Sequence, residues 1–176
     1  MQLYVNPNKK TPDEVRALTG ADIVINGGLF NSAFVPVTIL KVDGKYLSLE
    51  DDGYWGYAWN MGGRPVFTQS HRDYENFICC ITLWKDGPAS YPPAMGGIRG
   101  RTAMGLTADG RCVVYCAADG TSGTMTPEAL STFMHNSGCK NAVMLDGGGS
   151  SQGLVPGLRV RADRKVQNLI CIWEDK

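Results

Sequence analysis

The sequence predicts an α+β fold: a single domain over residues 1–176 in which a few helices pack on a large mixed β-sheet. Three observations carry that expectation. With 176 residues and 43% of them hydrophobic, the chain is long enough for one sizeable core and short enough for one domain to be the default. Only two segments carry the start and stop signals of a helix. The other apolar runs are short and are punctuated by glycine and turn dipeptides, as strands are.

Taken in order, residues 11–20, TPDEVRALTG, read as the first helix. Thr11 is a natural N-cap, Pro12 fits the first turn, Glu14 completes a capping box and Gly20 closes the C-terminus. Strands are expected at 21–26 (ADIVIN) and at 34–44 (FVPVTILKVDG), the latter turning at Asp43-Gly44 into 45–50 (KYLSLE). Further strands are expected at 64–69 (RPVFTQ), 76–84 (NFICCITLW) and 101–118, with a hairpin at Asp109-Gly110. Residues 126–138, TPEALSTFMHNSG, repeat the helix grammar with Thr126, Pro127 and Gly138, and Leu130, Phe133 and Met134 fall at helical spacing. The last strands are 141–145 (NAVML) and 167–174 (QNLICIWE).

Two of these units share a form: helix, small residues, then a buried strand ending in a polar residue and glycines. Short apolar strands without alternation are covered on both faces. Residues 22–26 and 142–146 are therefore expected side by side in the middle of the sheet, which would bring Asn26 and Asp146 together. Residues 51–63 and 86–100 are rich in glycine, proline and aromatics. Loops of that composition often serve a site, with an ordinary packed surface loop as the equal alternative. Trp55, Tyr57 and Trp59 within the first of them suit either stacking on a sugar or one face of a strand.

Composition narrows the partners. Lysine plus arginine and aspartate plus glutamate number 17 each, so there is no field to attract nucleic acid or an anionic membrane. The N-terminus lacks a signal-peptide pattern and no apolar run approaches the ~20 residues of a membrane span, which implies a soluble, cytoplasmic protein. Of the six cysteines, Cys79 and Cys80 are adjacent, and Cys112 and Cys116 would lie about 13 Å apart on one strand face, too far for a bridge. Buried reduced thiols are expected. His71, in HRDYE, suits a solvated turn better than a metal site.

The stretch NAVMLDGGGSS, residues 141–151, carries the chemistry. A phosphate loop of the Walker kind needs a lysine after the glycines and a helix beyond, and SSQGLVPG supplies neither. Gly149-Ser150-Ser151-Gln152-Gly153 matches a serine-nucleophile elbow, but that arrangement needs a later histidine, and none follows His135. What remains is the Asp146 carboxylate, backbone amides suited to an anion, and the hydroxyls of Ser150 and Ser151. That set fits chemistry at the anomeric carbon of a phosphorylated sugar.

Five segments in order, NGGLF at 26–30, RTAMGLTADGR at 101–111, AADGTSGTMTPEAL at 117–130, NAVMLDGGGSS at 141–151 and RKVQNLICIW at 164–173, resemble the motif set of the phosphodiester glycosidase family, which has bacterial and phage members. The resemblance implies hydrolysis of the bond between a sugar's anomeric carbon and a phosphodiester, releasing free sugar and a phosphomonoester. It implies Asp146, Asp119 and Arg101 as catalytic residues. It implies Asn26, Gly27, Gly28, Thr102, Gly147, Gly148, Gly149, Ser150, Ser151 and Asn168 as substrate-binding residues, and a phage-encoded origin is consistent with it. Leu29, where an aromatic is common, and Lys165, where a proline often follows the arginine, depart from the pattern.

A carboxylate beside the anomeric carbon stabilises an oxocarbenium-like state, activates water or attacks directly, which suits Asp146 first and Asp119 second. Arg101 suits a bidentate grip on the phosphate, or else a salt bridge that orients one aspartate. Asn26 and Asn168 suit sugar hydroxyls or the attacking water, or else tie strand ends together. The expected partner is a small sugar phosphodiester. No cofactor is required by the sequence, a divalent cation such as calcium at the phosphate is left open, and so is oligomeric state. The alternative function is a non-catalytic module that sequesters a sugar phosphate or nucleotide.

Overall fold

Thr11 and Thr126 each open a helix for the same physical reason. Their hydroxyls accept a hydrogen bond from a first-turn amide, Glu14 N–H at 3.3 Å and Ala129 N–H at 3.2 Å, and the proline that follows needs no amide partner. At the first helix the Glu14 carboxylate in turn accepts from the Thr11 amide at 2.7 Å. The helix ends at Gly20, whose φ of 68° is left-handed. In the computed structural model, which describes residues 1–174, these are α1 (Pro12–Thr19) and α2 (Pro127–Asn136).

The strands are β1 (Gln2–Val5), β2 (Ile23–Asn26), β3 (Leu40–Val42), β4 (Lys45–Ser48) and β5 (Gly56–Trp59). They continue as β6 (Val66–Thr68), β7 (Asn76–Cys79), β8 (Ile81–Lys85), β9 (Arg101–Thr107) and β10 (Cys112–Ala117). The chain closes with β11 (Cys139–Met144), β12 (Gly153–Val155), β13 (Leu158–Val160) and β14 (Asn168–Ile172). The helix-poor α+β character is as expected. The sheet is not one mixed surface, however, but three, in the orders β1-β14-β2-β12-β13, β10-β9-β11-β8 and β4-β3-β7-β5-β6. Every pairing among the named strands is antiparallel.

Side-chain alternation explains how the layers stack. Ile25, Met104, Val143, Leu145 and Ile170 point into one core shared by all three sheets, where Leu40, Tyr57, Trp59 and Ile78 of the third sheet meet them. The opposite faces of the first two sheets are covered by the helices, and that of the third is closed by Tyr54 and Tyr74 against Ala58, Phe77 and Cys79. Val15 of α1 packs on Val24, Leu169 and Cys171, and Leu130 and Met134 of α2 pack on Ala103, Ala142 and Met144. Strands β2, β9 and β11 are thus buried on both faces, which is why their sequences lack polar alternation.

Several expectations are corrected. The segments 22–26 and 142–146 do not pair: β2 lies between β14 and β12, and β11 between β9 and β8. The expected strand at 76–84 is two, because the chain leaves the third sheet at Cys79 and enters the second at Ile81, a sheet-switching corner. Residues 34–39 are irregular apart from a single bridge between Phe30 and Pro36, and Phe34 takes φ of 64°. Strand β5 runs through the supposed loop 51–63. Gly56 is obligatory there, since a Cβ would stand 2.3 Å from the Ile78 carbonyl oxygen. Strands β1, β12 and β13 had no strong sequence signal.

Burial governs the thiols. Cys79, Cys80, Cys139 and Cys171 are buried and all six cysteines are free. Desolvation pushes the Cys79 and Cys112 thiols up to about 12 and those of Cys116 and Cys171 up to about 11. Thiolate is the reactive form. Native protein at neutral pH is therefore expected to react with a disulfide reagent at well under one thiol per chain in minutes, with all six titrating after denaturation. Rapid reaction of the folded chain would overturn this. No helix among the described residues is long and apolar enough to cross a membrane.

Candidate functional site

The C-terminal ends of β2, β10 and β11 and the N-terminal ends of β9, β12 and β14 gather at one end of the molecule. What joins them is the Asn26 side chain. Its Nδ2 donates to the Asp146 carbonyl oxygen at 2.8 Å, and its Oδ1 accepts from Thr102 Oγ1 at 2.6 Å and from the Gln152 amide at 3.1 Å. The Asp146 amide in turn donates to the Gly27 carbonyl oxygen at 3.0 Å. Asn26 and Asp146 do meet, as expected, but through hydrogen bonds between two sheets rather than through a shared ladder.

Asn168 does similar work one strand away. Its Oδ1 accepts from the Gly28 amide at 2.9 Å and its Nδ2 donates to Gln167 Oε1 at 2.8 Å. That packing explains Gly27, where a Cβ would stand 1.8 Å from Asn168 Oδ1. Asn26, Gly27, Gly28, Thr102 and Asn168 are all buried. They form the support beneath the site, so the strand-tying role, not contact with sugar hydroxyls, is the one their geometry fits.

Above that support lies an open cavity of about 710 Å³, within the ~300–1,000 Å³ of small-molecule sites. Its polar half is built from Asp146, Asp119, the glycines Gly147 to Gly149, and Arg99, Arg101 and Arg164. Asp146 is half-buried, and desolvation raises its carboxyl above the ordinary aspartate value. The Ser150 hydroxyl, the Gly147 amide and the Arg164 charge oppose that rise. The Gly147 amide donates to Asp146 Oδ1 at 2.9 Å. Asp119 is exposed at the rim, with Oδ1 accepting from the Gly100 amide.

The glycines answer to their neighbours. Gly148 has φ of 58°, and a Cβ there would lie 3.5 Å from Asp119 Oδ2. A Cβ on Gly149 would lie 3.5 Å from the Arg164 guanidinium, an ordinary contact distance that places Arg164 directly beside this stretch of backbone. The Gly147 amide is taken by Asp146 and the Gly148 amide donates to the Gly100 carbonyl oxygen at 2.8 Å. The anion nest expected from three glycines is therefore reduced to one amide. Gly149 N–H has no acceptor in the chain among the described residues. Ser150 and Ser151 are buried behind the wall, Ser150 Oγ accepting from Arg164 Nη1 at 3.3 Å, and Ser151 Oγ has no partner.

Arg101 corrects its expectation. It is 3% exposed, and its Nε donates to the Met125 carbonyl oxygen at 2.9 Å. Its Nη2 donates to those of Met95 at 3.1 Å and Gly97 at 2.7 Å. Those bonds occupy the fork a bidentate phosphate grip would use. Nη1, which contacts Met144 Sδ at 3.3 Å and lies beside Gly147, is the part left facing the cavity. Burial, with repulsion from Arg99 behind it, lowers its pKa, yet a guanidinium keeps its charge.

Arg164 and Arg99 are the functional candidates that the residue-by-residue reading missed. Arg164 opened one of the quoted motifs, and that was its only signal. The aromatics Trp55, Tyr57 and Trp59 belong to the fold instead: Trp55 stacks on Phe67 with centroids 5.0 Å apart, and Tyr57 and Trp59 are core. His71 Nδ1 pairs with Tyr46 Oη at 2.7 Å on the surface. No three His, Cys, Asp or Glu side chains gather to hold a metal among the described residues, and Arg99, Arg101 and Arg164 share the cavity with its two aspartates.

Comparison with known proteins decides the family. The phosphodiester glycosidase family model matches residues 19–173. The chain belongs to that family. No curated protein matches it significantly. Among solved structures, it is similar to the zebrafish N-acetylglucosamine-1-phosphodiester alpha-N-acetylglucosaminidase catalytic domain, auto-inhibited by its pro-peptide. That match has a TM-score of 0.70 and 18% identity over 94% of this chain and 67% of the other. It is also similar to a hypothetical protein from Synechocystis, with a TM-score of 0.75 and 11% identity over 97% of this chain and 56% of the other. At those identities the likeness is one of fold, and this chain spans only part of either structure. The shared fold is the one that gathers strand ends around the cavity of this phosphodiester glycosidase family member.

Proposed function

We propose that this family member hydrolyses a glycosyl-1-phosphodiester, giving free sugar and a phosphomonoester. The observation that carries the reading is one cavity in which a desolvated carboxylate, Asp146, stands three residues from Gly149, whose amide is unclaimed and beside whose α-carbon the Arg164 guanidinium lies. Asp146 would face the anomeric carbon and stabilise the positive charge that builds there. A phosphate leaving group is already acidic, so the need is to neutralise its oxygens, which Arg164, the Gly149 amide and Arg99 suit. Asp119, across Gly148, would orient the water and take its proton. The water oxygen bonds to the anomeric carbon as the bond from that carbon to the bridging phosphate oxygen breaks, and the electron pair leaves on that oxygen with the phosphomonoester. Arg101 would act as a positioning residue, holding residues 95–97 and 125 around the opening.

The test is to supply hexose-1-phosphate alkyl and aryl diesters and to follow reducing sugar and phosphomonoester together. Equal release of both supports the reading, and tight binding without turnover would instead make the domain a binding module. In the same assay Arg164→Ala is expected to lower kcat/KM about 10- to 100-fold, the ~1.5–3 kcal/mol of a charged hydrogen bond. An unchanged value would remove Arg164 from the phosphate site.

A further inference from the structure

The rest of the cavity's lining is apolar, with the Arg101 guanidinium standing against Met95 and Met144 at its inner edge. Leu29, Ile81 and Met144 line its inner part, and Ala94, Met95 and Ile98 its rim. The rim belongs to residues 88–98, PASYPPAMGGI, which contain no charged side chain, and Ile98 is 72% exposed beside Arg99. This segment is held in place: its Pro93–Met95 turn is fixed to Arg101 through the Met95 and Gly97 carbonyl oxygens. Among the described residues no aromatic ring lines the cavity, so neither a stacked base nor a stacked sugar has its usual platform there.

We propose that the second substituent on the substrate's phosphate is an aliphatic chain, and that it lies along Leu29, Met95, Met144 and Ile98. This rests on the phosphodiester reading above, and it names the product as an alkyl phosphate. A sugar or nucleoside in that position would bury hydroxyls against side chains that offer them no partner, and unpaired polar groups are costly. Methionine adapts to a flexible chain. The apolar wall also runs directly into the charged half of the same cavity, as an amphipathic phosphodiester requires.

The experiment uses methyl, butyl and octyl phosphate as ligands, measured by calorimetry on the intact protein, so that turnover is not needed. Each methylene that becomes fully buried is expected to tighten binding roughly fourfold, and octyl phosphate to bind at least about tenfold more tightly than methyl phosphate. Ile98→Asn, at an exposed position that folding does not depend on, is expected to cut the octyl-to-methyl ratio about threefold or more. Equal affinities for the three ligands, or a ratio indifferent to Ile98→Asn, would overturn the proposal. The two readings separate cleanly. Length-dependent binding without cleavage of any glycosyl phosphodiester defeats the hydrolase and leaves the aliphatic seat standing, whereas cleavage with no dependence on chain length defeats the seat alone.

Discussion

Asp146→Asn is expected to reduce turnover of a glycosyl phosphodiester by roughly 10³-fold or more while leaving the fold at least as stable as the parent. The loss follows from removing the half-buried negative charge that the proposed reaction sets beside the developing positive centre, where low polarity makes that charge most effective. The stability follows from the direction of its pKa. Burial raises the Asp146 carboxyl above the usual aspartate value, so folding favours the protonated form. The stability this contributes is complete below the unfolded value of ~3.9 and is lost as pH rises through the raised native value. At neutral pH the ionised side chain is therefore a net cost, which the neutral amide removes while still accepting from the Gly147 amide. Melting curves should show the variant level with or above the parent at pH 7, with the gap closing in acid. The parent's kcat/KM should fall, as pH drops, through a pKa above the ordinary aspartate range. A variant that is inactive and also less stable at pH 7 would mean that Asp146 is a structural residue.

The sequence made local features plain and left relations between distant segments obscure. Both helices were legible because a threonine cap, a following proline and a closing glycine act within a few residues. The meeting of Asn26 with Asp146 was legible because two short apolar strands ended in polar residues and glycines. Its route was not, since antiparallel neighbours are chosen by contacts far apart in the chain. The corner at Cys80 was hidden inside an unbroken apolar run, for a strand that changes sheets stays buried on both sides of the change. Strand β5 was hidden by its glycine and aromatics. Arg164 reaches Gly149 only because the β12–β13 hairpin folds the chain back, which no spacing announces. Asn26 and Asn168 read as ligand groups because an amide in an apolar run attracts that reading, yet backbone groups at the strand ends satisfy the same amides.

Asn26→Ala is expected to lower stability by roughly 3–5 kcal/mol, at the upper end of single substitutions, and to lower the melting temperature by on the order of 10 °C. The side chain lost is small, so the effect is not chiefly a cavity. Removing it leaves the Thr102 hydroxyl with only the weak Cys116 thiol contact at 3.6 Å and orphans the Gln152 amide and one lone pair of the Asp146 carbonyl oxygen, all away from water, and each unsatisfied buried group costs ~1–3 kcal/mol. Asn26→Asp retains an acceptor for Thr102 and Gln152, but it aims a second oxygen at the Asp146 carbonyl and buries a charge. It is therefore expected to rescue little. Whatever fraction of either variant folds should lose kcat more than KM, because the bond being cut fixes the backbone that carries the Asp146 carboxylate and not a group that holds the phosphate. Denaturant titration with single-turnover rates on the folded fraction measures both. A loss under about 1 kcal/mol for Asn26→Ala would show that the strand ends hold together without it, and that the placement of Asp146 owes nothing to this asparagine.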